Sequence, residues 1–262
     1  MTTLLDFRTF ALSNMMEVEH ILSEVYTAHC AQFPDFMCFD GGAHKGFHTK
    51  RMAMLPGCRK VVAVEADPDM VPKLRASLAA ADIDQLKIVV VPKALQRYQE
   101  EKTVSWRSSP SHVGRSSMLS ESSDRQSIWD GKTDMEFGEV VTVPATTIDD
   151  LIADDDPKLA FIKTDLEGAD LHALMGAGKT LEKHRPVLAF ENSIHAPKVH
   201  NFTLDEVYTF FDKLGYVPMN FIGEPINAES WFGFFEAWAA PREHVDQIQS
   251  ILNSAVQKRM SA

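Results

Sequence analysis

The sequence predicts an α/β fold with a doubly wound sheet of about seven strands. Short apolar runs typical of buried strands alternate with stretches of helical spacing along most of the chain. A glycine-rich turn follows the first apolar run, at residues 40–46. The last two apolar runs, 216–222 and 231–239, have no helical crossover between them. They are therefore expected to pair as an antiparallel hairpin at the edge of the sheet.

The first half of the chain sets out this alternation. An amphipathic helix is expected at about 15–33, because its apolar residues recur with helical spacing. Asp67 and Pro68 are typical of an N-cap and a first helical residue, so a helix is expected from there to Leu78. The third strand is expected at 86–91. The five parallel strands are predicted to end at residues 40, 65, 91, 165 and 191.

Helix signals continue in the second half. A short helix is expected at about 148–152, and Glu167-Gly168 are interpreted as the cap of the helix that follows the fourth strand. Thr203 and Glu206 have the spacing of a capping box, which predicts the start of another helix.

Three segments make up the predicted domain organisation. Residues 1–34 form an N-terminal helical extension, residues 35–241 the main domain, and residues 242–262 a C-terminal helix. Within the main domain, residues 96–138 contain few apolar side chains and many serines, which indicates an insertion outside the sheet.

Composition limits the partners and the compartment. The 26 Lys and Arg residues against 37 Asp and Glu give a net charge of -11, which argues against a nucleic acid as the main partner. The three cysteines form no CxxC pair, so neither a disulfide framework nor a zinc site is indicated. No apolar run has the length of a membrane span, and the N-terminus lacks the pattern of a signal peptide. We expect a cytoplasmic protein without membrane partners.

Carboxylates end four of the predicted strands, namely Asp40, Glu65, Asp165 and Glu191. In open α/β sheets the ligand lies beyond the carboxyl ends of the strands, so these four side chains are expected to share one crevice. Each alone could be a helix cap or a loop residue, but the set predicts a ligand site.

The cofactor expected in this crevice is S-adenosylmethionine. The glycines at 41, 42 and 46 do not have the G-x-G-x-x-G spacing of dinucleotide folds. A carboxylate at Asp40 would repel a pyrophosphate but suits a ligand that carries an amino group and a sulfonium. Glu65, about 20 residues on, is placed to accept hydrogen bonds from ribose hydroxyls.

An ordered set of motifs resembles the FkbM family of S-adenosylmethionine-dependent methyltransferases. The motifs lie between about residues 36 and 193 and are Asp40–Gly46, Glu65–Pro68, Ala94-Leu95, Ser116–Leu119, Val143–Leu151, Ile162–Asp170 and Arg185–Asn192. The resemblance implies a class I methyltransferase fold and methylation of hydroxyls, often on sugars or secondary metabolites. It also implies a cofactor site made of Asp40, Gly41, Gly42, His44, Gly46, Glu65, Ala66, Ala94 and Asp165. His44 and Lys93 depart from the family pattern.

The predicted catalytic residues are Asp165, His195 and Glu191. Asp165 would orient the acceptor hydroxyl, and His195, just beyond the fifth strand, could act as the general base or be an ordinary loop histidine. Lys163 shares a strand face with Asp165 and is expected to pair with an acid. The serine pair Ser116-Ser117 belongs to a segment expected to fold over the cofactor or to remain a solvated loop.

Other functions stay open at this level. Asp165, Glu191 and Asn192 resemble a magnesium site, although a metal-free reaction is favoured. The expected partner is a small hydroxylated acceptor, and a homo-oligomer is left open. The alternatives are an NAD-dependent oxidoreductase and a methyltransferase-fold subunit that binds the cofactor without catalysis, with the aromatic hairpin at 231–238 as its interaction surface.

Overall fold

A computed structural model describes residues 4–100, 102–107, 117–118, 139–192, 197, 200–227, 230 and 236–261. Its strands are β1 Phe36–Gly41, β2 Cys58–Val64, β3 Ile88–Val91, β4 Ala94–Leu95, β5 Thr103–Arg107, β6 Ser117–Met118, β7 Val140–Thr146, β8 Leu159–Thr164, β9 Val187–Glu191, β10 Tyr216–Asn220 and β11 Glu236–Pro241. Its helices are α1 Leu4–Ser13, α2 Met15–Cys30, α3 Phe47–Ala53, α4 Val71–Ala79, α5 Asp170–Leu174, α6 Gly178–His184, α7 Leu204–Lys213 and α8 Val245–Met260.

The main sheet has seven strands in the order β10-β11-β9-β8-β1-β2-β3. The five strands from β9 to β3 run parallel, whereas β11 is antiparallel to both β9 and β10. β1 and β8 are buried along their whole length, as expected for central parallel strands covered on both faces. The predicted doubly wound sheet and its antiparallel edge hairpin are confirmed.

Two apolar cores cover the two faces of the main sheet. Alternating residues of one strand enter different cores, so that Phe161 of β8 packs in one and Ile162 in the other. The first core includes Tyr26 of α2 and Leu252 of α8, and the second includes Phe211 of α7. The predicted apolar face of α2 is thus buried, although the helix ends at Cys30 and α1 precedes it.

A second sheet lies outside the main one, in the order β4-β7-β5-β6. The segment at 96–138 is predicted to be an insertion outside the main sheet, and within the described residues it contributes β5 and β6 to the second sheet. These strands are short and rich in serine and threonine, so their sequence pattern is weak. β7 pairs with β5 and with β4, which joins this sheet to the end of β3 through Pro92 and Lys93.

Several predicted boundaries are wrong for local physical reasons. Asp67 does not begin a helix, because its carboxylate accepts a hydrogen bond from the Asp69 backbone N–H at 2.9 Å and closes a turn, so α4 starts at Val71. Residues 85–87 form a 3-10 turn that begins at Asp84, so the third strand starts at Ile88.

The helix predicted at 148–152 is a series of turns. The Asp149 carboxylate instead accepts hydrogen bonds from the backbone N–H groups of Lys179 and Thr180, at 3.1 and 2.8 Å, and so satisfies the first turn of α6. The capping box of Thr203 and Glu206 is confirmed at the start of α7.

The two ends of the chain pack against each other through α2 and α8. Arg259 of α8 bonds to Glu17 at 2.9 Å and, through Nε, to Glu24 at 2.9 Å, both on α2. Within the described part of the chain, no helix has the length and apolarity required to cross a membrane.

Candidate functional site

A cavity of about 310 Å³ lies at the carboxyl ends of the parallel strands. Its wall combines residues that follow β1, β2, β3 and β8 with one residue of β5. The lining residues are Gly42, His44, Val64, Glu65, Ala66, Asp67, Met70, Lys93, Ala94, Leu95, Trp106, Asp165, Leu166, Glu167 and Ala169. Its position and size are those of a small-molecule site in an α/β protein.

Backbone contacts fix the turn between β1 and α3. The Gly42 N–H donates to the Val64 carbonyl at 2.9 Å, and the Asp165 N–H donates to the Gly41 carbonyl at 3.0 Å. Gly42 has a φ of +76°, and a Cβ there would lie 1.9 Å from the Asp165 carbonyl oxygen. Only glycine therefore allows the ends of β1 and β8 to approach this closely.

Glu65 is held by backbone N–H groups on both carboxylate oxygens. Oε2 accepts from His44 at 2.8 Å and Oε1 accepts from Asp67 at 2.9 Å. Burial raises the pKa of Glu65, although these hydrogen bonds oppose the effect. The carboxylate is thus fixed in the cavity wall before any ligand arrives.

His44 occupies the same wall in an uncommon backbone conformation. Its φ is +49°, in the left-handed region that favours glycine and asparagine. Burial lowers the pKa of His44, and Lys45 acts in the same direction, which favours the neutral imidazole. Within the described residues, its Nε2 has no hydrogen-bond partner.

Lys163 lies between two strand-end carboxylates. Its Nζ is 3.5 Å from Asp165 Oδ2 and 4.0 Å from Asp40 Oδ1. Burial opposes the charge on Lys163, but Asp165 and Asp40 raise its pKa. Pairing of this lysine with an acid, as predicted, is confirmed, and its ion pair fixes the Asp165 carboxylate at the cavity.

Asp40 does not belong to the cavity wall. Its side chain is 1% exposed, and its Oδ2 accepts a hydrogen bond from the Thr49 hydroxyl at 2.5 Å. Because the carboxylate is directed to interior partners, the expectation that it meets a cofactor amino group has no support in its placement. Asp40 lies outside the cavity wall because it is buried inside β1, one residue before the strand ends. The sequence pattern does not distinguish this position from the residue that follows a strand.

A group of carboxylates continues from Asp165 along the ends of β8, β9 and β11. Burial raises the pKa of Asp170 to about 7, and the charge of Asp165 adds to this effect. Burial also raises the pKa values of Glu191 and Glu236, and neighbouring carboxylates, Asp170 for Glu191 and Asp165 for Glu236, raise them further. Glu19 of α2 is a further charged neighbour of Glu236.

The predicted site residues fall into three groups. Six lie together in the cavity wall, and these are Gly42, His44, Glu65, Ala66, Ala94 and Asp165. Four do not line it: Gly41 packs against Leu95, Gly46 approaches Leu74 and Leu78 of α4, Asp40 is interior, and Glu191 lies in the carboxylate group. His195, Ser116 and the aromatic residues at 231–235 lie outside the described residues. The roles proposed for all of these side chains stay predictions.

Glu167 and Gly168 do not cap the next helix. Both have positive φ values, +53° and +93°, and α5 begins after Ala169 without a side-chain cap. The Gly168 N–H instead donates to Glu191 Oε2 at 3.1 Å, and Glu167 lines the cavity. This loop therefore links the cavity wall to the carboxylate group.

The sequence patterns do not predict a place in this site for Trp106, Glu19 or Glu236. Trp106 of β5 is 9% exposed and packs on alanines that follow the main strands, including Ala94 and Ala169. The sequence signal for Trp106 is the alternation of polar and apolar residues within Thr103–Arg107, which is too short to predict a strand with its indole at the cavity. Within the described residues, no group of three or more His, Cys, Asp or Glu side chains is arranged to hold a metal ion.

Solved structures with a similar fold are methyltransferases or related proteins. The methyltransferase FkbM from Methylobacillus flagellatus KT is 16% identical with a TM-score of 0.47, over 79% of this chain and 44% of that chain. A protein from Streptococcus mutans in complex with SAH is 14% identical with a TM-score of 0.44, over 83% and 96%. An rRNA methylase from Streptococcus thermophilus is 12% identical with a TM-score of 0.43, over 82% and 93%.

This chain thus spans less than half the length of the Methylobacillus protein. A search of curated proteins gave no match. A model of the methyltransferase FkbM domain matches residues 40–218, which is more than half of the chain and includes the cavity wall and β8 and β9. The seven-stranded sheet has the class I methyltransferase architecture. The chain belongs to the FkbM methyltransferase domain family.

Proposed function

We propose that this protein transfers a methyl group from S-adenosylmethionine to a hydroxyl of a small molecule, such as a sugar or a secondary metabolite. The observation that carries the proposal is the cavity in which Gly42, Glu65, Ala94 and Asp165 meet, within a chain of the FkbM methyltransferase domain family.

The residues present fit this cofactor. Glu65 offers a fixed carboxylate to the ribose hydroxyls, while Ala66 and Ala94 leave room for a flat base beside the indole of Trp106. The missing Cβ at Gly42 leaves space at the junction of β1 and β8. When bound, the cofactor supplies an electrophilic methyl group on a sulfonium.

Asp165 is placed to orient the acceptor. Its side chain is 43% exposed and lines the cavity, while the ion pair with Lys163 restricts its position. Transfer to oxygen requires the hydroxyl to lie in line with the methyl group and to lose its proton. Glu191, whose pKa is raised by burial and by the charge of Asp170, would accept that proton in its ionised form. His195 stays the alternative base.

Two measurements test the proposal. Calorimetry should show S-adenosylmethionine and S-adenosylhomocysteine (SAH) binding at micromolar concentrations, and no binding of NAD. Mass spectrometry with labelled cofactor and a panel of sugars, polyketides and phenols should reveal a product heavier by one labelled methyl group. Binding of NAD in place of SAH would overturn the choice of cofactor.

A binding subunit without catalysis is the second candidate, because the cavity alone is sufficient for cofactor binding. It predicts SAH binding with no methylated product from any acceptor in the panel.

A further inference from the structure

Carboxylates lie at the same edge of three neighbouring strands of the main sheet: Asp165 follows β8, Glu191 ends β9 and Glu236 begins the antiparallel β11. Thr164 of β8 is in register with Phe190 of β9, so the residues that follow, Asp165 and Glu191, lie side by side. Glu191 is in turn the direct register partner of Glu236 on β11. Since neighbouring strands lie about 4.8 Å apart, these three side chains form a row across the sheet.

Two more acids join this row from helices. Asp170, at the start of α5, and Glu19, on α2, are both charged neighbours of Glu236. We call these five side chains the acid row: Glu19, Asp165, Asp170, Glu191 and Glu236. Asp165 belongs both to the acid row and to the wall of the cofactor cavity, so the two are continuous.

Within the described residues, the ion-pair partners of the acid row are Lys163 and His48. Lys163 is the lysine among the charged neighbours of Glu236, and it already shares its ammonium between Asp165 and Asp40. His48 Nε2 lies 2.6 Å from Glu19 Oε2 and pairs with that residue alone among the five. Glu191 and Glu236 are direct register partners, and burial together with neighbouring carboxylates raises the pKa of both, so the charged form of each is disfavoured unless a cation lies nearby.

Among the described residues, one buried oxygen inside the acid row makes no hydrogen bond. Asp170 is 1% exposed, its Oδ2 accepts from the Leu166 N–H at 3.2 Å, and its Oδ1 makes no hydrogen bond within the described residues. A buried carboxylate oxygen without a donor costs free energy, which a donor from a ligand can recover. Two members of the row can be reached from solvent, because the side chains of Asp165 and Glu19 are 43% and 32% exposed.

We propose that the acid row binds a cationic group of the acceptor, so that the methylated molecule carries an ammonium next to its hydroxyl, as an amino sugar does. This inference rests on the proposed methyl transfer. An ammonium supplies up to three donors to carboxylates that lack them and balances part of the excess charge. The same row disfavours acceptors with a carboxylate or phosphate near the reacting hydroxyl, because their charge would be repelled.

An organic cation fits better than a metal ion. The described carboxylates are not arranged as a ligand set, and they spread over three strands and two helices. A charge spread over this length matches an extended amine-bearing molecule.

The test begins with protein saturated with SAH, whose binding is measured first by calorimetry. Glucosamine, glucose and glucuronate are then titrated into the complex. We expect glucosamine to bind about 5- to 20-fold more tightly than glucose, and glucuronate more weakly than either. Raising the salt concentration should weaken the binding of glucosamine more than that of glucose.

Variants of the acid row test whether its carboxylates cause the preference for glucosamine. Glu236→Gln and the double variant Glu19→Gln/Glu236→Gln should reduce the preference for glucosamine stepwise, whereas Glu182→Gln, the same change on an exposed position of α6, should leave it unaltered. Glu236→Gln should also raise the melting temperature, because it removes repulsion between register partners. A melting curve therefore separates a loss of binding from a loss of folding.

Equal binding of glucose and glucosamine, or no binding of glucosamine, would overturn the inference. Magnesium that competes with glucosamine in the wild type and not in Glu236→Gln would instead assign the row to a metal and also overturn it. The proposed function fails separately, if SAH does not bind at the first step.

Discussion

The two halves of the strand-end crevice differ in how their carboxylates are satisfied. On the side of β1 and β2, both oxygens of Glu65 accept backbone N–H groups, and Asp40 bonds to Thr49. On the side of β8, β9 and β11, carboxylates face each other, and Asp170 keeps an oxygen without a hydrogen bond within the described residues. In the first half the Glu65 carboxylate is satisfied on both oxygens, although Asp40 Oδ1 makes no hydrogen bond within the described residues. In the second half, Lys163 and the backbone N–H groups of Leu166 and Gly168 satisfy the carboxylates only in part. We therefore propose that the first half binds the cofactor and the second half acts on the acceptor, and each proposal can be tested.

The largest effect is expected at Glu191. Glu191→Gln keeps the shape of the side chain but removes its capacity to accept a proton, so turnover should fall about 10²- to 10⁴-fold. Affinity for SAH should stay within about threefold of the wild type, because Glu191 does not line the cavity. Steady-state kinetics and calorimetry measure the two quantities. Turnover within a few-fold of the wild type would leave His195 or Asp165 as the base.

The junction between the halves is expected to tolerate little change. Gly42→Ala places a Cβ 1.9 Å from the Asp165 carbonyl oxygen at a φ of +76°, so the free energy of unfolding should fall. A loss of about 2–4 kcal/mol is typical for such strain. The matched control is Gly178→Ala in α6, where the nearest atom would be 4.0 Å away and the effect should be small. Urea denaturation compares the two, and equal effects would contradict the role of Gly42.

Within the cofactor half, Glu65→Ala should weaken SAH binding by about 10- to 150-fold, which corresponds to the loss of a charged hydrogen bond. Turnover at saturating cofactor should change far less, since the acceptor half is intact. Calorimetry gives the affinity. An unchanged dissociation constant would remove Glu65 from the ribose role.

A smaller loss of SAH affinity is expected when Trp106, in the same half of the crevice, is replaced. Because its indole packs beside Ala94 and Ala169, we expect it to contact the base of the cofactor. Trp106→Ala should weaken SAH binding by about 5- to 100-fold, and Trp106→Phe by less, as for other base–aromatic contacts. Quenching of tryptophan fluorescence by SAH should disappear in Trp106→Phe. It should persist in Trp238→Phe, because that indole is buried in the core.

The last prediction is a pH dependence of the free energy of unfolding, which we expect from Asp170 on the side of β8, β9 and β11. The pKa of Asp170 is raised to about 7 in the folded protein from a usual value near 3.8. The folded state therefore binds more protons than the unfolded state between these values, so stability falls as the pH rises from about 4 to about 7. Asp170→Asn should flatten this dependence in denaturation curves at pH 5 and pH 7.5. The exposed control Asp82→Asn should not, and an unaltered slope in Asp170→Asn would contradict the shift.

Sequence patterns predicted the main sheet because its strands are long, apolar and separated by glycine or capping signals. Strand-end positions such as Glu65, Asp165 and Glu191 followed directly from that order. The second sheet escaped prediction, since β4 and β6 are two residues each and carry no periodicity. Asp40 was expected in the crevice because the alternation of side chains along a strand shows which face a residue lies on but not which residues it contacts. Glu19 and Glu236 come close to Asp165 only because segments far apart in the sequence pack together. The spacing of residues along the chain does not show that Glu236 pairs with Glu191.

The acid row combines residues inside and outside the segment that matches the family model. Asp165, Asp170 and Glu191 lie within residues 40–218, whereas Glu19 and Glu236 come from the two ends of the chain, where Arg259 joins α8 to α2. Substitutions in these ends can alter the charge offered to an acceptor without touching the cofactor wall. Exchange of these terminal segments is therefore expected to change the proposed acceptor preference while the cofactor wall stays intact.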